Sequence, residues 1–119
     1  MEAIFAGIVL FNPEISRLKE NITHILGQVD RLILVDNGSN NKEEIQSGIQ
    51  NFNTDKILYI DLHKNKGIAA ALNVIVESTE SCGVKWVLTL DQDTVCKDDI
   101  IDKYRPYLSM KNVGQFTCL

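Results

Sequence analysis

The sequence predicts an α/β fold of three layers, α/β/α, with a mainly parallel sheet between the helices. Apolar runs of strand length alternate four times with stretches of helical period along the 119 residues, and this alternation is typical of parallel sheets. The runs are apolar at almost every position, which indicates strands that are buried on both faces. The length suits one compact domain and is too short for two.

The first strand is predicted at residues 4–11, a nearly unbroken apolar run. Pro13 then marks the start of a helix, where its missing N–H costs nothing. The apolar residues that follow have the spacing of one helix face: Ile15, Leu18, Ile22, Ile25, Leu26 and Val29. A short apolar run that ends in an acid predicts the second strand at residues 31–36.

The rest of the chain continues the same alternation. Three apolar residues indicate a second helix: Ile45, Ile49 and Phe52. The third strand is predicted at residues 56–60, and a third helix follows Gly67. The fourth strand is predicted at residues 84–90, a fourth helix face at residues 100–108 and a short last strand at residues 113–116.

Polar residues follow each of the first four strands, at the edge where ligands bind in open α/β sheets. Asn12 follows the first strand and Asp36 ends the second. Residues 63–67 follow the third strand and residues 91–93 follow the fourth. Since the strands are expected to be parallel, these polar groups should converge on one edge.

The triplet Asp91-Gln92-Asp93 is the sharpest feature at this edge. In an extended segment residues i and i+2 point the same way, so both carboxylates could face one ligand. Mg²⁺ or Mn²⁺ held by one or two carboxylates is usually completed by substrate phosphates. The alternative is an acidic turn in which Asp93 or Thr94 caps the next helix.

Asp36 and the loop at residues 64–67 also allow two interpretations each. Asp36 could accept hydrogen bonds from a base or a ribose, or it could stabilise a turn with Gly38 and Ser39. The loop opens a helix and carries two lysines, which suits an anion. It could equally be a solvated turn in which Gly67 supplies backbone freedom.

Composition excludes several classes of function. The formal net charge is −4 and no basic stripe is present, which argues against binding to nucleic acid. The three cysteines have no CxxC spacing, and this is typical of reduced cysteines in a cytosolic protein. We therefore expect a cytoplasmic protein, peripheral at most to the inner face of the cell membrane.

Four fragments occurring together in this order resemble glycosyltransferase family 2, and the bacterial rhamnosyltransferases among its subgroups. They are Val9-Leu10-Phe11-Asn12-Pro13, Val35-Asp36-Asn37-Gly38-Ser39, the run at residues 65–73 that begins Asn65-Lys66-Gly67, and Leu90-Asp91-Gln92-Asp93-Thr94. The resemblance covers almost the whole chain. It implies the GT-A fold of nucleotide-diphospho-sugar transferases and DXD-type metal binding.

The resemblance also implies roles for particular residues. Leu10, Phe11 and Asn12 match contacts to the nucleotide base, and Asp36 matches the acid that binds the base. In the loop that closes over the nucleoside, the matching residues are Asn65 and Gly67. Asp91 matches the acid near the ribose or the metal, and Asp93 matches the metal ligand on the diphosphate.

The implied reaction is an inverting sugar transfer from a nucleoside-diphosphate sugar, with dTDP-rhamnose as the leading donor. The implied acceptor is a polysaccharide or a lipid-linked saccharide, as in cell-wall polysaccharide synthesis. In this family a later segment carries the acceptor site and the general base, and no residue here can be assigned that role. We therefore expect residues 1–119 to form one incomplete domain, either cut short or the product of a broken gene, in which donor binding can persist without transferase activity.

An incomplete sheet would leave apolar surface uncovered, so we also expect self-association. Light scattering at high concentration would test this expectation, and a strictly monomeric chain would contradict it. Two hypotheses without enzymatic activity stay open. One is a receiver-like magnesium-binding module, which needs an acid at the end of its middle strand, here Asp61 after the third strand. The other is a degenerate fragment with no affinity for nucleotides.

Overall fold

The computed structural model describes residues 3–93, 95, 99 and 101, together with the backbone of residues 114–118. Strands and helices alternate along these residues. The strands are β1 (Ile4–Leu10), β2 (Arg31–Asp36), β3 (Ile57–Asp61), β4 (Trp86–Leu90) and β5 (Gly114–Cys118). The helices are α1 (Ile15–Ile25), α2 (Lys42–Gln50) and α3 (Ile68–Ser81), and α1 runs into a short 3-10 turn, Leu26–Gln28.

The five strands form one parallel sheet in the order β3-β2-β1-β4-β5. The chain builds the sheet outward from β1 to β3 and then returns to place β4 on the other side of β1. The register sets the last residues of neighbouring strands side by side: Leu10 lies beside Asp36, and Asp36 lies beside Asp61. The carboxyl ends of these strands therefore share one edge of the sheet.

Burial along each strand follows the position of that strand in the sheet. Every residue of β4 is buried, and in β2 only Arg31 is partly exposed. The edge strand β3 is as apolar in sequence, yet all five of its residues are partly exposed. A largely apolar run therefore identified each of the strands β1 to β4, whereas it did not distinguish a central strand from an edge strand.

Two hydrophobic clusters cover opposite faces of the sheet. One face packs against α1 and α2 through residues such as Leu18 and Ile45, and the other packs against α3 through Ala71 and Ile75. Gly7 in β1 permits the close approach of α3, because an added Cβ would lie 2.4 Å from Cγ2 of Ile75. The molecule therefore has three layers, α/β/α.

The predicted α/β/α arrangement with a parallel sheet is confirmed. The second strand has its predicted bounds, while β4 begins at Trp86, two residues later than predicted. The first helix ends earlier than its apolar spacing predicted, since the chain tightens into the 3-10 turn that contains Gly27. The predicted helix at residues 100–108 lies outside the described residues, apart from the buried Ile101.

Helix length also bears on the relation to a membrane. The 14 residues of α3 fall short of the ~20 that a membrane-spanning helix needs. Within the part of the chain that the structure describes, no helix has the length and apolar character to cross a bilayer.

Candidate functional site

The strand order reverses between β1 and β4, and the space beyond the carboxyl ends of these two strands is called the crevice below. Ligands of open α/β sheets bind at such a reversal. Asn12 follows β1 and residues 91–93 follow β4, so two of the segments singled out in the sequence flank the crevice. Asp36 lies at the same edge, at the end of β2 and about 10 Å from β4 at the usual strand spacing.

Residues 91–93 form a turn after β4 instead of extending the strand. The argument that Asp91 and Asp93 point the same way because strand side chains alternate therefore does not apply to this segment. Both acids are nevertheless exposed, whereas Gln92 between them is partly buried. Between described residues, no hydrogen bond or ion pair engages either carboxylate.

Gln92 attaches this acidic turn to the end of β1. The Phe11 N–H donates to Oε1 of Gln92 at 2.9 Å, and Nε2 of Gln92 donates to the Phe11 carbonyl at 3.0 Å. The backbone carbonyl of Gln92 accepts from Nδ2 of Asn21 at 2.6 Å, and Asn21 is buried on α1. The turn is therefore held from two elements of the fold.

Asp36 is fully buried at the end of β2. Its Oδ1 accepts from the Ser39 N–H at 2.9 Å, and its Oδ2 accepts from the Tyr59 hydroxyl at 2.5 Å. These bonds supply the partners that a buried carboxylate requires. These contacts agree with the interpretation in which Asp36 stabilises the turn. Because Asp36 is fully buried, a ligand could contact its carboxyl group only after neighbouring residues move.

The hydroxyl of Tyr59 remains a donor to Asp36 over a wide pH range. Burial, with the hydrogen bond and charge of Asp36 and the charge of Asp61, raises the pKa of the Tyr59 phenol above its ordinary value of 10.0. Each of these causes disfavours the phenolate. Tyr59 is therefore a neutral phenol that donates its hydrogen bond to Asp36.

Tyr59→Phe is expected to destabilise the chain by about 2 kcal/mol, because Oδ2 of the buried Asp36 loses its donor. Urea unfolding at neutral pH would measure the change in the free energy of unfolding. The matched control is the same substitution in an Asp36→Asn background, where the cost should fall. Strictly additive effects of the two substitutions would show that the pair does not interact.

Hydrogen bonds also join the loop after β1 to the turn after β2. The Asn12 N–H donates to Oγ of Ser39 at 2.9 Å, and Oδ1 of Asn12 accepts from the Asn40 N–H at 2.7 Å. Nδ2 of Asn41 donates to the Pro13 carbonyl at 2.9 Å. Asn12 has a φ of 45°, which asparagine adopts more readily than most residues. Asn12 thus shapes the rim of the crevice.

Asn37 holds the loop after β3 against the turn after β2. Its Oδ1 accepts from the Lys66 N–H at 2.9 Å, and its Nδ2 donates to Oδ1 of Asn65 at 3.2 Å. Oδ1 of Asn65 also accepts from the Gly67 N–H at 2.8 Å, just before α3 begins. Asn65 and Gly67 therefore lie at the predicted edge, with the Asn65 side chain engaged in fixing the loop.

Asp61 at the end of β3 forms a separate charged cluster. Its Oδ2 lies 2.9 Å from Nζ of Lys42 at the start of α2, and its Oδ1 accepts from the His63 N–H at 2.8 Å. Burial alone would raise the pKa of the Asp61 carboxyl, but the hydrogen bonds from Lys42 and from the His63 backbone lower it below 3.8. The receiver hypothesis needs this acid on the middle strand of the sheet. Because β3 is an outer strand of the sheet, the position of Asp61 does not meet that requirement.

Asp61→Asn should cost about 1 kcal/mol of stability at neutral pH. Because the folded-state pKa is lowered, the carboxylate contributes its full stabilisation above the ordinary value of 3.8. That contribution is lost as the pH falls through the lowered pKa. Urea unfolding at a series of pH values should therefore show the variant and the wild type converging in acid. The exposed Asp55→Asn is the control, and a difference that persists unchanged at low pH would contradict the expectation.

The described residues contain no group of three or more His, Cys, Asp or Glu side chains placed to hold a metal ion. A cation at Asp91 and Asp93 would therefore need further oxygen ligands from a substrate or from water. A cleft of about 530 Å³ also lies at this edge, lined by residues 38–44 and His63. It adjoins the turn after β2 and lies away from the acidic turn.

The structure brings the predicted site residues to one edge of the sheet. They are Leu10, Phe11, Asn12, Asp36, Asn65, Gly67, Asp91 and Asp93. Leu10 is fully buried and offers only backbone, and its carbonyl already accepts from the Asn37 N–H at 2.8 Å. Sequence reasoning assigned no site role to Asn37, Gln92 or Tyr59. Asn37 and Gln92 lie within two of the fragments that resemble the family, so the sequence could have drawn attention to them. Tyr59 lies in an apolar strand, and nothing in its sequence neighbours indicates a role.

Comparison with known proteins identifies the relatives of this chain. Residues 6–110 match the profile described as Glycosyl transferase family 2. A dTDP-rhamnosyl transferase, RfbF, of Shigella flexneri is 30% identical over 111 residues. The match covers 92% of this chain and 36% of that relative, so the chain spans about a third of the length of the protein it resembles.

Proposed function

We propose that this chain, which belongs to glycosyl transferase family 2, binds the nucleotide of a nucleoside-diphosphate sugar across the carboxyl edge of its sheet. Its α/β/α layers with a parallel sheet are of the GT-A type. Glycosyl transfer is the chemistry of the family. The donor, the acceptor and the residues that bind them are parts of the proposal.

One observation carries the proposal: two exposed acids lie at the point where the strand order reverses. Asp91 and Asp93 follow β4, the strand that lies beside β1 at this reversal. Phe11 is 44% exposed at that end of β1, and Asn12 follows it. An extended nucleoside diphosphate is long enough to reach from the turn after β2 to the acidic turn.

Asp93, with Asp91, would hold a Mg²⁺ or Mn²⁺ ion. The fit rests on two exposed carboxylates that no hydrogen bond or ion pair from another described residue engages. Such ions are commonly bound by one or two carboxylates together with substrate phosphates. The ion would offset the negative charge of the departing nucleoside diphosphate, while Asp91 and Asp93 fix its place in the crevice.

The remaining contacts in the proposal come from the loops around the crevice. Phe11 and Asn12 would meet the base or the ribose, and Asn65 and Gly67 would close over the nucleoside from the loop before α3. Because the backbone N–H and carbonyl of Phe11 are already bonded to Gln92, a ligand would contact the exposed ring of Phe11 and not its backbone. Contact with Asp36 would follow a movement of its neighbouring residues.

The finer proposal is that the donor is dTDP-rhamnose and that the acceptor is a polysaccharide or a lipid-linked saccharide. The relative from Shigella flexneri is a dTDP-rhamnosyl transferase by its name, and this supports the choice of donor. No described residue is assigned as the general base. The experiments proposed for this chain therefore measure the binding of the donor nucleotide and not sugar transfer.

Calorimetric titration with thymidine diphosphate tests the proposal directly. We expect binding in the presence of Mn²⁺ that weakens by about tenfold or more when the metal is chelated, since an ion held by Asp91 and Asp93 would offset the charge of the phosphates. Uridine diphosphate in the same assay measures selectivity for the base. Absence of any nucleotide affinity with Mn²⁺ present would refute the proposal and favour a fragment without this function.

A further inference from the structure

We infer that Gln92 is a positioning residue that holds Asp91 and Asp93 at the mouth of the crevice. Its side-chain amide binds both backbone groups of Phe11, the N–H at 2.9 Å and the carbonyl at 3.0 Å. The two residues are 81 positions apart in the chain. The part of this inference that concerns ligand affinity rests on the proposed function, and the part that concerns the turn does not.

The register of the sheet explains why a side chain is needed here. The last backbone pair between β1 and β4 is Ile8 with Leu90, and residues 91–93 then form a turn instead of continuing the strand. Phe11 lies beyond that pair, so its N–H and carbonyl have no partner on β4. The primary amide of Gln92 offers one acceptor and two donors, and it replaces the missing strand at this position.

The geometry of the turn follows from this attachment. Gln92 is partly buried against β1, while the acids on either side of it are exposed. Its backbone carbonyl is fixed by Asn21, which is 2% exposed on α1. Because the side chain and the backbone of Gln92 are both held, the directions in which Asp91 and Asp93 leave the turn are restricted. A divalent ion would meet two carboxylates that are already placed, which lowers the entropy cost of binding.

The test compares Gln92→Met, which keeps the length of the side chain and removes its hydrogen bonds, with Gln50→Met. Gln50 is exposed at the end of α2, and its substitution should leave the crevice unchanged. Without ligand, we expect the Phe11 amide to exchange about tenfold faster or more in Gln92→Met, because it loses its acceptor. The amide chemical shifts of Asp91 and Asp93 should move in this variant alone.

Gln92→Glu provides a conservative comparison, since it keeps an acceptor for the Phe11 N–H and loses the donor to the Phe11 carbonyl. Protection of the Phe11 amide should therefore be largely restored in Gln92→Glu. Unchanged exchange of this amide in Gln92→Met would overturn the inference, whether or not the wild type binds a nucleotide.

Measurements of ligand affinity show whether Gln92 positions Asp91 and Asp93 or only stabilises the turn. Below the unfolding transition, we expect Gln92→Met to bind thymidine diphosphate with Mn²⁺ about tenfold more weakly, and Gln50→Met to bind as the wild type does. Gln92→Met could instead bind thymidine diphosphate as tightly as the wild type does, although its Phe11 amide exchanges faster. That result would show that Gln92 only stabilises the turn, and it would overturn the positioning role. If the wild type itself binds no nucleotide, the proposed function fails, and the exchange and shift data alone decide the inference about the turn.

Discussion

Replacing Asp93 with alanine is expected to weaken Mn²⁺-dependent binding of thymidine diphosphate by roughly a hundredfold, while leaving the fold intact. The proposed ion has few ligands from the protein, so each carboxylate carries a large share of its binding energy. Removing a group that only orients a metal ligand commonly lowers metal affinity by ~10–100-fold. Removing a ligand itself should lower the affinity by at least the upper value of that range. Asp93 is exposed, and an exposed substitution usually changes stability by no more than ~0.5 kcal/mol.

The measurement is calorimetric titration with Mn²⁺, paired with urea unfolding of the same preparation. Asp55→Ala is the matched control, because it removes one exposed carboxylate from the turn before β3, at the opposite edge of the sheet. Both variants change the net charge equally, so a general electrostatic effect would appear in both. Equal affinities for the two variants would contradict the assignment of Asp93 as a metal ligand.

Gly38→Ala is expected to destabilise the chain by about 3 kcal/mol. Two costs combine at this position. Gly38 has a φ of 85°, and an added Cβ would lie 2.5 Å from the backbone nitrogen of Asn65. That neighbour is backbone, so it cannot turn aside as a flexible side chain would. The loop bonded to Asn37 would have to move.

Thermal unfolding measures this effect, and a cost of this size should lower Tm by roughly 10 °C. Gly27→Ala is the control, since an added Cβ there meets nothing within 4 Å. Gly38→Asn separates the two costs, because asparagine tolerates a positive φ but still carries a Cβ. A wild-type Tm for Gly38→Ala would show that the loop at residues 64–65 does not pack on this turn.

Gly38 also links stability to the proposed site. The loop that its substitution would displace contains Asn65 and leads into Gly67, both proposed to close over the nucleoside. Asn37 bonds to the same loop through both of its side-chain polar atoms. We therefore expect the binding of thymidine diphosphate to weaken in Gly38→Ala even at temperatures where the variant is folded.

The sequence by itself determined the element types and the edge of the sheet at which the candidate site residues lie. Continuous apolar runs specify strands, although not their burial, and spacing such as that of Leu18 and Ile22 specifies a helix face. Both signals depend on neighbours along the chain. Parallel strands place their last residues at one edge, so the convergence of Asp36 and Asp91 on that edge followed from the pattern alone.

Only the tertiary structure decided which of these residues are exposed at the edge and which are buried. The return of β4 to the far side of β1 sets the reversal point, and no local periodicity encodes strand order. Asp36 is enclosed by Tyr59 from a neighbouring strand, and Gln92 bonds to a residue 81 positions away. Such contacts depend on which elements meet after the chain folds, so the burial of one acid and the exposure of the other pair could be read only from the assembled sheet.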